Sequence, residues 1–406
     1  MNRTTTSLRW SDVFSPSVAA LISVLVNYGG TFVLVFQAAE LARLSPAQTA
    51  SWVWAVSVGV GLCGLWLSLR YRAPIITAWS TPGAAFLATV MPSTPYAEVI
   101  GAYLISALGF MLLGATGAFD RLVRMIPKGI AAGLLAGILL QFGINAFGGA
   151  SADPLLVIVL LVSYALLRRF TSRFAVVGIL VIGLGLLIAQ QRIDFSAVHL
   201  SLAVPLFTAP QFSLQALLGV ALPLFVITLT GQYMPGMLVL RNDGYATSAN
   251  PLLTVTGLGS LLMAPFGAHA FNVAAITAAI CTGKDAHPDP KKRYIAGVAC
   301  GLFYLLVGTF GVTLASLFMV LPKAFVSTLA GLALLGAIGG SLANAMADAA
   351  TRETALITFL ATAANVTLLG VGGAFWGLVA GLTAHLLIHG RAHPLAGRAA
   401  TPESQR

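Results

Sequence analysis

The 406-residue sequence predicts an all-α polytopic membrane protein of about fourteen transmembrane segments, arranged as two inverted repeats of seven. Three observations lead there. The chain is 58% hydrophobic and only 8% charged, with a mean hydropathy of +0.91, whereas a soluble domain carries about 25% charged residues. Apolar runs of spanning length recur along the whole chain. Two of these runs, in corresponding places, are interrupted by proline, glycine and polar residues.

The runs fall at 16–38, 49–69, 74–91, 97–118, 127–147, 154–168 and 174–190. A polar, proline-containing stretch follows at 191–211. The second set lies at 212–234, 249–264, 267–282, 294–318, 323–345, 352–370 and 373–390. This divides the chain into a first repeat (1–192), a connecting stretch (193–211), a second repeat (212–392) and a cytoplasmic tail (393–406). With the N-terminus in the cytoplasm and alternating sides, only Arg43, Arg192 and Lys323 of the 22 lysines and arginines fall outside. Basic residues gather on the cytoplasmic side of membrane proteins, so span count and orientation support each other, and both termini are cytoplasmic. The net charge of +10 therefore reflects topology, not nucleic-acid binding. Cys63, Cys281 and Cys300 lie in apolar runs without pairing or metal spacing and read as small core residues.

The halves resemble each other. Phe110-Met-Leu-Leu-Gly-Ala-Thr-Gly117 matches Phe303-Tyr-Leu-Leu-Val-Gly-Thr-Phe-Gly311 with one insertion. Ile126-Pro-Lys128 matches Leu321-Pro-Lys323, and Leu135-Ala-Gly137 matches Leu329-Ala-Gly331, at offsets of 193 to 195. Adding 192 to Ser80 reaches Asn272. Seven spans is an odd number, so the second copy is inverted. Inverted repeats with paired broken helices mark secondary transporters.

The broken spans, the third and tenth, are each expected to be a short extended stretch followed by a half-helix. In Ala73–Met91, Ser80 or Thr81 is a suitable N-cap and Pro82 suits the first helical position. In Ala264–Cys281, Asn272 is the expected cap. A helix beginning inside the bilayer leaves unpaired N–H groups and a positive dipole end there, which favours an anion. Ser80, Thr81, Gly83, Asn272 and Val273 are therefore candidate binding residues. Gln232-Tyr-Met-Pro-Gly236 is expected to interrupt the eighth span, because Pro235 and Gly236 loosen a helix. That makes Gln232 and Tyr233 candidates as well. Asn27-Tyr28-Gly-Gly30 is expected to play a similar part in the first span, with Phe36-Gln37 further along. Tyr28, Phe36, Trp79, Tyr233 and Phe271 are the aromatics nearest the expected site.

Carboxylates fall near span ends, as at Glu40, Glu98, Asp120, Asp153, Asp348 and Glu353. Cation transporters usually keep one in the interior, and an anion site is better without it. His269 is the histidine at the crossover and is either a carrier of a coupling proton or a hydrogen-bonded structural residue. The loop Lys284–Tyr294 reads as an ordinary positive-inside loop or as a gate at the inner mouth. Gly59-Val-Gly-Leu-Cys-Gly64 has the spacing of a dinucleotide fingerprint but lies inside a span with no strand before it, so that reading is rejected. Gly133/Gly137, Gly297/Gly301 and Gly377/Gly381 have the spacing of close helix packing.

Phe14-Ser-Pro-Ser17, Val35-Phe-Gln-Ala-Ala39, Ser68-Leu-Arg-Tyr-Arg72, Thr77-Ala-Trp-Ser-Thr-Pro-Gly-Ala84, Asn272–Cys281 and Ala286-His-Pro-Asp-Pro290 resemble the benzoate transporter family, over nearly the whole chain. The resemblance implies proton-coupled uptake of benzoate across a bacterial inner membrane. It also implies the seven-plus-seven fold shared with uracil permeases and sulfate transporters. In that fold a core domain (spans 1–4 and 8–11) moves against a gate domain (spans 5–7 and 12–14) in an elevator-like shift. Uracil permeases carry glutamates in spans 8 and 10, and the matching residues here are Gln232 and His269. This departure fits a carboxylate guest better than a nucleobase and leaves the proton carrier unassigned.

The expected function is a secondary transporter of an aromatic carboxylate, and not an enzyme. Another small anion (sulfate or a dicarboxylate), a nucleobase on the same fold, and an anion channel are the alternatives. The expected partners are the substrate, protons and the bilayer, with a homodimer as a candidate assembly; no nucleic acid, metal or cofactor is expected. Exchanging Asn272 for Asp is expected to abolish uptake, because added negative charge repels an anionic guest, and uptake of labelled substrate by cells checks this.

Overall fold

The computed structural model describes residues 10–389 apart from 120, 122–126, 171–174, 195, 197–199, 276, 285, 367 and 369–372. The tail 393–406 lies outside the described residues. The chain is mostly helical, and seven helical stretches are long and apolar enough to cross a membrane. The first is α1 (Trp10–Thr31) followed by α2 (Val33–Leu41). The chain then continues through α3 (Pro46–Tyr71), strand β1 (Thr77–Trp79), α4 (Thr81–Val90), α5 (Tyr96–Thr116), α6 (Lys128–Gly148), α7 (Pro154–Phe170) and α8 (Ala175–Ala189). After the connecting stretch come α9 (Leu214–Arg241), α10 (Ala249–Met263), strand β2 (Phe271–Val273) and α11 (Ala278–Thr282). The last elements are α12 (Tyr294–Thr309), α13 (Gly311–Met319), α14 (Lys323–Met346), α15 (Arg352–Ala363) and α16 (Gly373–His389).

The helices sort into two packing groups. Around the strands, α3 packs on α12 and α10, α5 on α10, and α1 on α12. In the second group α6 packs on α14, α15 and α16, α15 on α16, and α7 on α8 and α14. Helices α1, α2 and α9 touch both groups, and α4 packs on α2, α6 and α9.

The glycine pairs read from the sequence sit where helix backbones cross. A Cβ at Gly61 would lie 2.8 Å from the Gly301 carbonyl oxygen, and one at Gly301 2.7 Å from that of Gly61. Gly133 and Gly137 face the backbone of α15, and Gly377 and Gly381 face Thr362 and Thr358. The rejected fingerprint has a packing role. Gly59 receives the Phe271 ring, Gly61 receives α12, and Gly64 receives the Thr77 hydroxyl. Three glycines on one helix thus seat both strands and a neighbouring helix.

Two segments outside the helices tie the bundle ends. Residues 200–213 form an extended strap. Ala203 N–H donates to Thr309 O (2.9 Å), Leu206 N–H to Ser51 Oγ (2.8 Å), Thr208 N–H to Pro265 O (2.8 Å) and Gln211 N–H to Ala97 O (2.9 Å). The strap therefore binds the ends of α3, α5, α10 and α12. The other segment is the polar loop after α11. Arg293, buried, donates to Thr282 O (2.8 Å) and His287 O (2.7 Å), closing the carbonyl end of α11. Lys292 pairs with Asp12 (2.7 Å), and Tyr245 donates to Pro290 O (3.1 Å). The loop is an ordered junction of α1, α9, α11 and α12.

The two kinds of helical glycine are expected to respond oppositely. Gly301→Val forces a side chain against the α3 backbone and costs about 1–3 kcal/mol. Gly336→Ala, where nothing lies within 4 Å of the added carbon, gains up to ~1 kcal/mol of helix propensity. Thermal unfolding of the two purified variants beside the parent chain measures both shifts.

Candidate functional site

The two broken segments meet. Strands β1 and β2 pair antiparallel, with Thr77 opposite Val273, Ala78 opposite Asn272 and Trp79 opposite Phe271. The pairing extends one residue at each end. Ser80 N–H donates to Ala270 O (2.9 Å) and Ala274 N–H to Ile76 O (2.8 Å). Ala78 and Asn272, the central pair, stand 194 positions apart, and Ile76 and Ala270, like Ser80 and Ala274, occupy equivalent places on either side of that centre. A local twofold axis therefore passes between Ala78 and Asn272.

The first half-helix forms as expected. Ser80 is its N-cap, accepting from Gly83 N–H at 3.1 Å, with Pro82 in the first turn. The second does not. Asn272 is not a cap, because its backbone lies in the ladder opposite Ala78. The counterpart of Ser80 is Ala274, which carries no capping side chain. Helix α11 starts only at Ala278 and is five residues long. The offset of 192 misaligned the halves by two residues, because a polar residue with cap propensity drew the match.

A second correction concerns the open N–H groups. Ser80 N–H is held by Ala270 O, Gly83 N–H by Ser80 Oγ, Ala84 N–H by Ser80 O (2.7 Å) and Ala274 N–H by Ile76 O. Pro82 has no N–H. In the first turn of α4 only the Thr81 amide is left uncommitted by these bonds. The ends of the ribbon from which the chain runs on toward the two helices, Ser80 and Ala274, are roughly 13 Å apart along the strands at about 3.3 Å per residue. What remains is side-chain polarity. Asn272 is fully buried, and both its Oδ1 and Nδ2 lack a hydrogen-bond partner. Trp79 Nε1 and Gln37 Oε1 are likewise buried without one.

Helix α9 runs beside the ribbon and is pinned to it at three levels. Thr228 donates to Ser80 Oγ (2.7 Å). Tyr233 donates to Phe271 O (2.8 Å) and lies 2.6 Å from Thr256 Oγ1. Gly236 abuts the carbonyls of Val273 and Ala274, where a Cβ would lie 2.6 and 2.9 Å away. The expected interruption at Gln232–Gly236 is instead a continuous helix with a π segment at Leu229–Tyr233. Pro235 has no N–H for the ordinary ladder, and the wider turn accommodates that. Gln232 lies in this segment, half-buried. Tyr233 serves the ribbon backbone, so its hydroxyl is spoken for.

His269 is fully buried. Trp52 Nε1–H donates to its Nδ1 (3.1 Å), and its Nε2 is 3.3 Å from Ser80 O. An indole can only donate and a carbonyl only accept, so the ring is neutral with its hydrogen on Nε2. It braces the cap of α4 against α3. Of the expected aromatics Tyr28 lies against Trp79, ring centres 5.3 Å apart, and Phe32 (4.7 Å) and Tyr304 (6.0 Å), not expected, complete the cluster. Phe36 stacks edgewise on Phe32 at 5.3 Å, while Phe271 turns into the α3 glycines. Thr228, Ser260 and Trp52 were not singled out from the sequence. Each is a lone polar residue or aromatic in an apolar run, and nothing local marks it.

The profile described as benzoate membrane transport protein matches residues 12–387. The benzoate membrane transport protein of Acinetobacter baylyi is 42% identical over 379 residues, 93% of this chain and 96% of its own. The inner membrane protein YdcO of Escherichia coli is 39% identical over 372 residues, covering 92% and 95%. Among solved structures, SLC26A9 superposes with a TM-score of 0.65 at 13% identity, over 94% of this chain and 66% of that one. The transmembrane domain of the cyanobacterial bicarbonate transporter BicA gives 0.57 at 16% identity, over 94% and 98%. At these identities the two structures show a shared fold.

Ser80→Ala removes the cap of α4 and the partner of Thr228 together. A loss of about 1–2 kcal/mol is expected. Ser80→Asn keeps a capping acceptor and is expected to recover part of it, read as unfolding temperature in the same detergent.

Proposed function

Because the chain belongs to the benzoate membrane transport protein family, we propose that it imports benzoate, or a close aromatic carboxylate, together with protons across a bacterial inner membrane. The observation that carries this reading at the site is the orphaned, fully buried Asn272 amide at the ribbon centre. It is a polar group in the interior with a donor and an acceptor free for a guest. In this reading Thr81 at the α4 start, Asn272 and Gln232 contact the carboxyl group. Gly83 and Val273 shape the backbone around it, and Tyr28, Phe36, Phe271 and Tyr233 build the wall.

The fourteen-segment, inverted-repeat reading is supported by the antiparallel pairing of the two broken segments, centred on Ala78 and Asn272. Elevator movement of a core domain against a gate domain is supported by the division of the helices into two packing groups. Loop charge supports cytoplasmic termini. His269 is a poor proton carrier in this arrangement, since both ring nitrogens are committed.

In proteoliposomes, labelled benzoate is expected to enter saturably under an inward proton gradient, and a protonophore is expected to collapse the uptake. Gradient-independent uptake would remove the symport half, and non-saturable flux would favour a channel. Asn272→Ala is expected to raise KM about tenfold or more, the loss of one or two buried hydrogen bonds. Competition by excess bicarbonate or sulfate, without competition by benzoate, would favour the small-anion reading.

A further inference from the structure

We propose that the site takes its substrate as the neutral aromatic carboxylic acid, paired with the side-chain amide of Asn272, so that the proton crosses on the substrate and not on a side chain. This rests on the benzoate reading above and specifies which form of the substrate is bound.

The amide of Asn272 presents a donor and an acceptor side by side, and both are buried and unpartnered. A carboxylic acid presents the complementary pair. Its O–H donates to Oδ1 while its carbonyl accepts from Nδ2–H, in a closed two-bond ring. A carboxylate can use only the donor. Its second oxygen would face Oδ1, two acceptors with no hydrogen between them. Because both atoms are unpartnered, the argument does not depend on which way the amide is flipped.

The surroundings hold no charge to balance an anion. The sequence has no Asp, Glu, Lys or Arg across 13–39, 47–69, 73–97, 99–119, 212–240, 244–283 or 294–322. These stretches supply every element packed on the ribbon. An unpaired carboxylate in such a place is strongly disfavoured against its protonated form. The titratable groups nearby are already engaged. Tyr28 donates to Ser57, Tyr233 to Phe271 O and Cys63 to Val255 O, while Tyr304 accepts from Asn27. His269 is fixed by Trp52 and Ser80, and Tyr103, facing it, turns its hydroxyl to Met91. Helix α4 and helix α10 carry none. The start of α4, which would favour an anion, has its N–H groups closed internally except that of Thr81.

The chemistry balances without the protein. Outside, a carboxylate and a proton from water form the O–H bond. Inside, that bond breaks and the proton returns to water. One proton crosses per substrate, with no residue protonated on the way.

Competition binding with the full chain in nanodiscs tests this, using radiolabelled benzoate against two probes. Benzamide is neutral and reproduces the donor–acceptor edge of the acid. Benzenesulfonate is ionised throughout. Benzamide is expected to compete equally at about pH 5.5 and pH 7.5, and benzenesulfonate not to compete, while the apparent Kd for total benzoate rises about tenfold per pH unit above a carboxyl pKa near 4. Competition by benzenesulfonate but not benzamide, or a Kd that stays flat with pH, overturns the assignment and leaves benzoate transport standing. Absence of saturable benzoate binding at about pH 5.5, well above the reference carboxyl range, overturns the benzoate reading itself. Asn272→Leu is expected to lose benzoate and benzamide together. Because the probes are read on the unaltered chain, the outcome does not depend on that variant folding.

Discussion

The structure is organised by the cost of leaving a backbone amide unpaired in an apolar interior, several kcal/mol for each group. Two segments leave the helical ladder, and each alone would expose its strand edges to hydrocarbon. They remove that cost by pairing with each other. The outward groups of Phe271 are then met by side chains, its N–H by Ser260 Oγ (2.8 Å) and its carbonyl by the Tyr233 hydroxyl. Thr77 returns its hydroxyl to Val60 O (2.7 Å). The α3 glycines let the ribbon approach closely enough for these bonds to form. A short ribbon thus dictates the choice of residue on three helices.

Charge is arranged on the opposite principle. Ion pairs among the described residues lie at helix ends and in loops, as with Lys292 and Asp12 or Arg192 and Asp153. Around the ribbon the described interior holds hydroxyls, amides, the indoles of Trp52 and Trp79 and the neutral imidazole of His269. A small polar guest in such a place is selected by hydrogen-bond pattern and shape, with little long-range electrostatic pull. That selectivity is finer than a positive pocket would give, since a missing donor or acceptor leaves a buried partner unsatisfied.

The helical segments and the Ser80 cap were legible because hydropathy, proline position and cap chemistry are local. The pairing partner of β1 was legible through the repeat, but its register was not. Asn272 has the side chain of a cap and was matched to Ser80, whereas the ladder puts it opposite Ala78. Helix propensity could not reveal that the second half-helix is shorter and starts at Ala278. The π segment was anticipated as a break, since Pro235 disrupts the ladder whichever way the chain responds. That the ribbon uses up its own N–H groups was out of reach, because hydrogen bonds between residues as distant as Ser80 and Ala270 or Ala274 and Ile76 leave no mark in either neighbourhood.

The ribbon also sets a schedule for biogenesis. Strand β1 leaves the ribosome 194 residues before β2, which at roughly 5–20 residues per second is a delay of about 10 to 40 s. Throughout that interval the nascent first half carries an open strand edge at a depth where lipid offers no hydrogen bonds. The insertion machinery, or the α3 surface acting as a temporary seat, must shelter it. The site is therefore assembled only after the second broken segment arrives and pairs with the first.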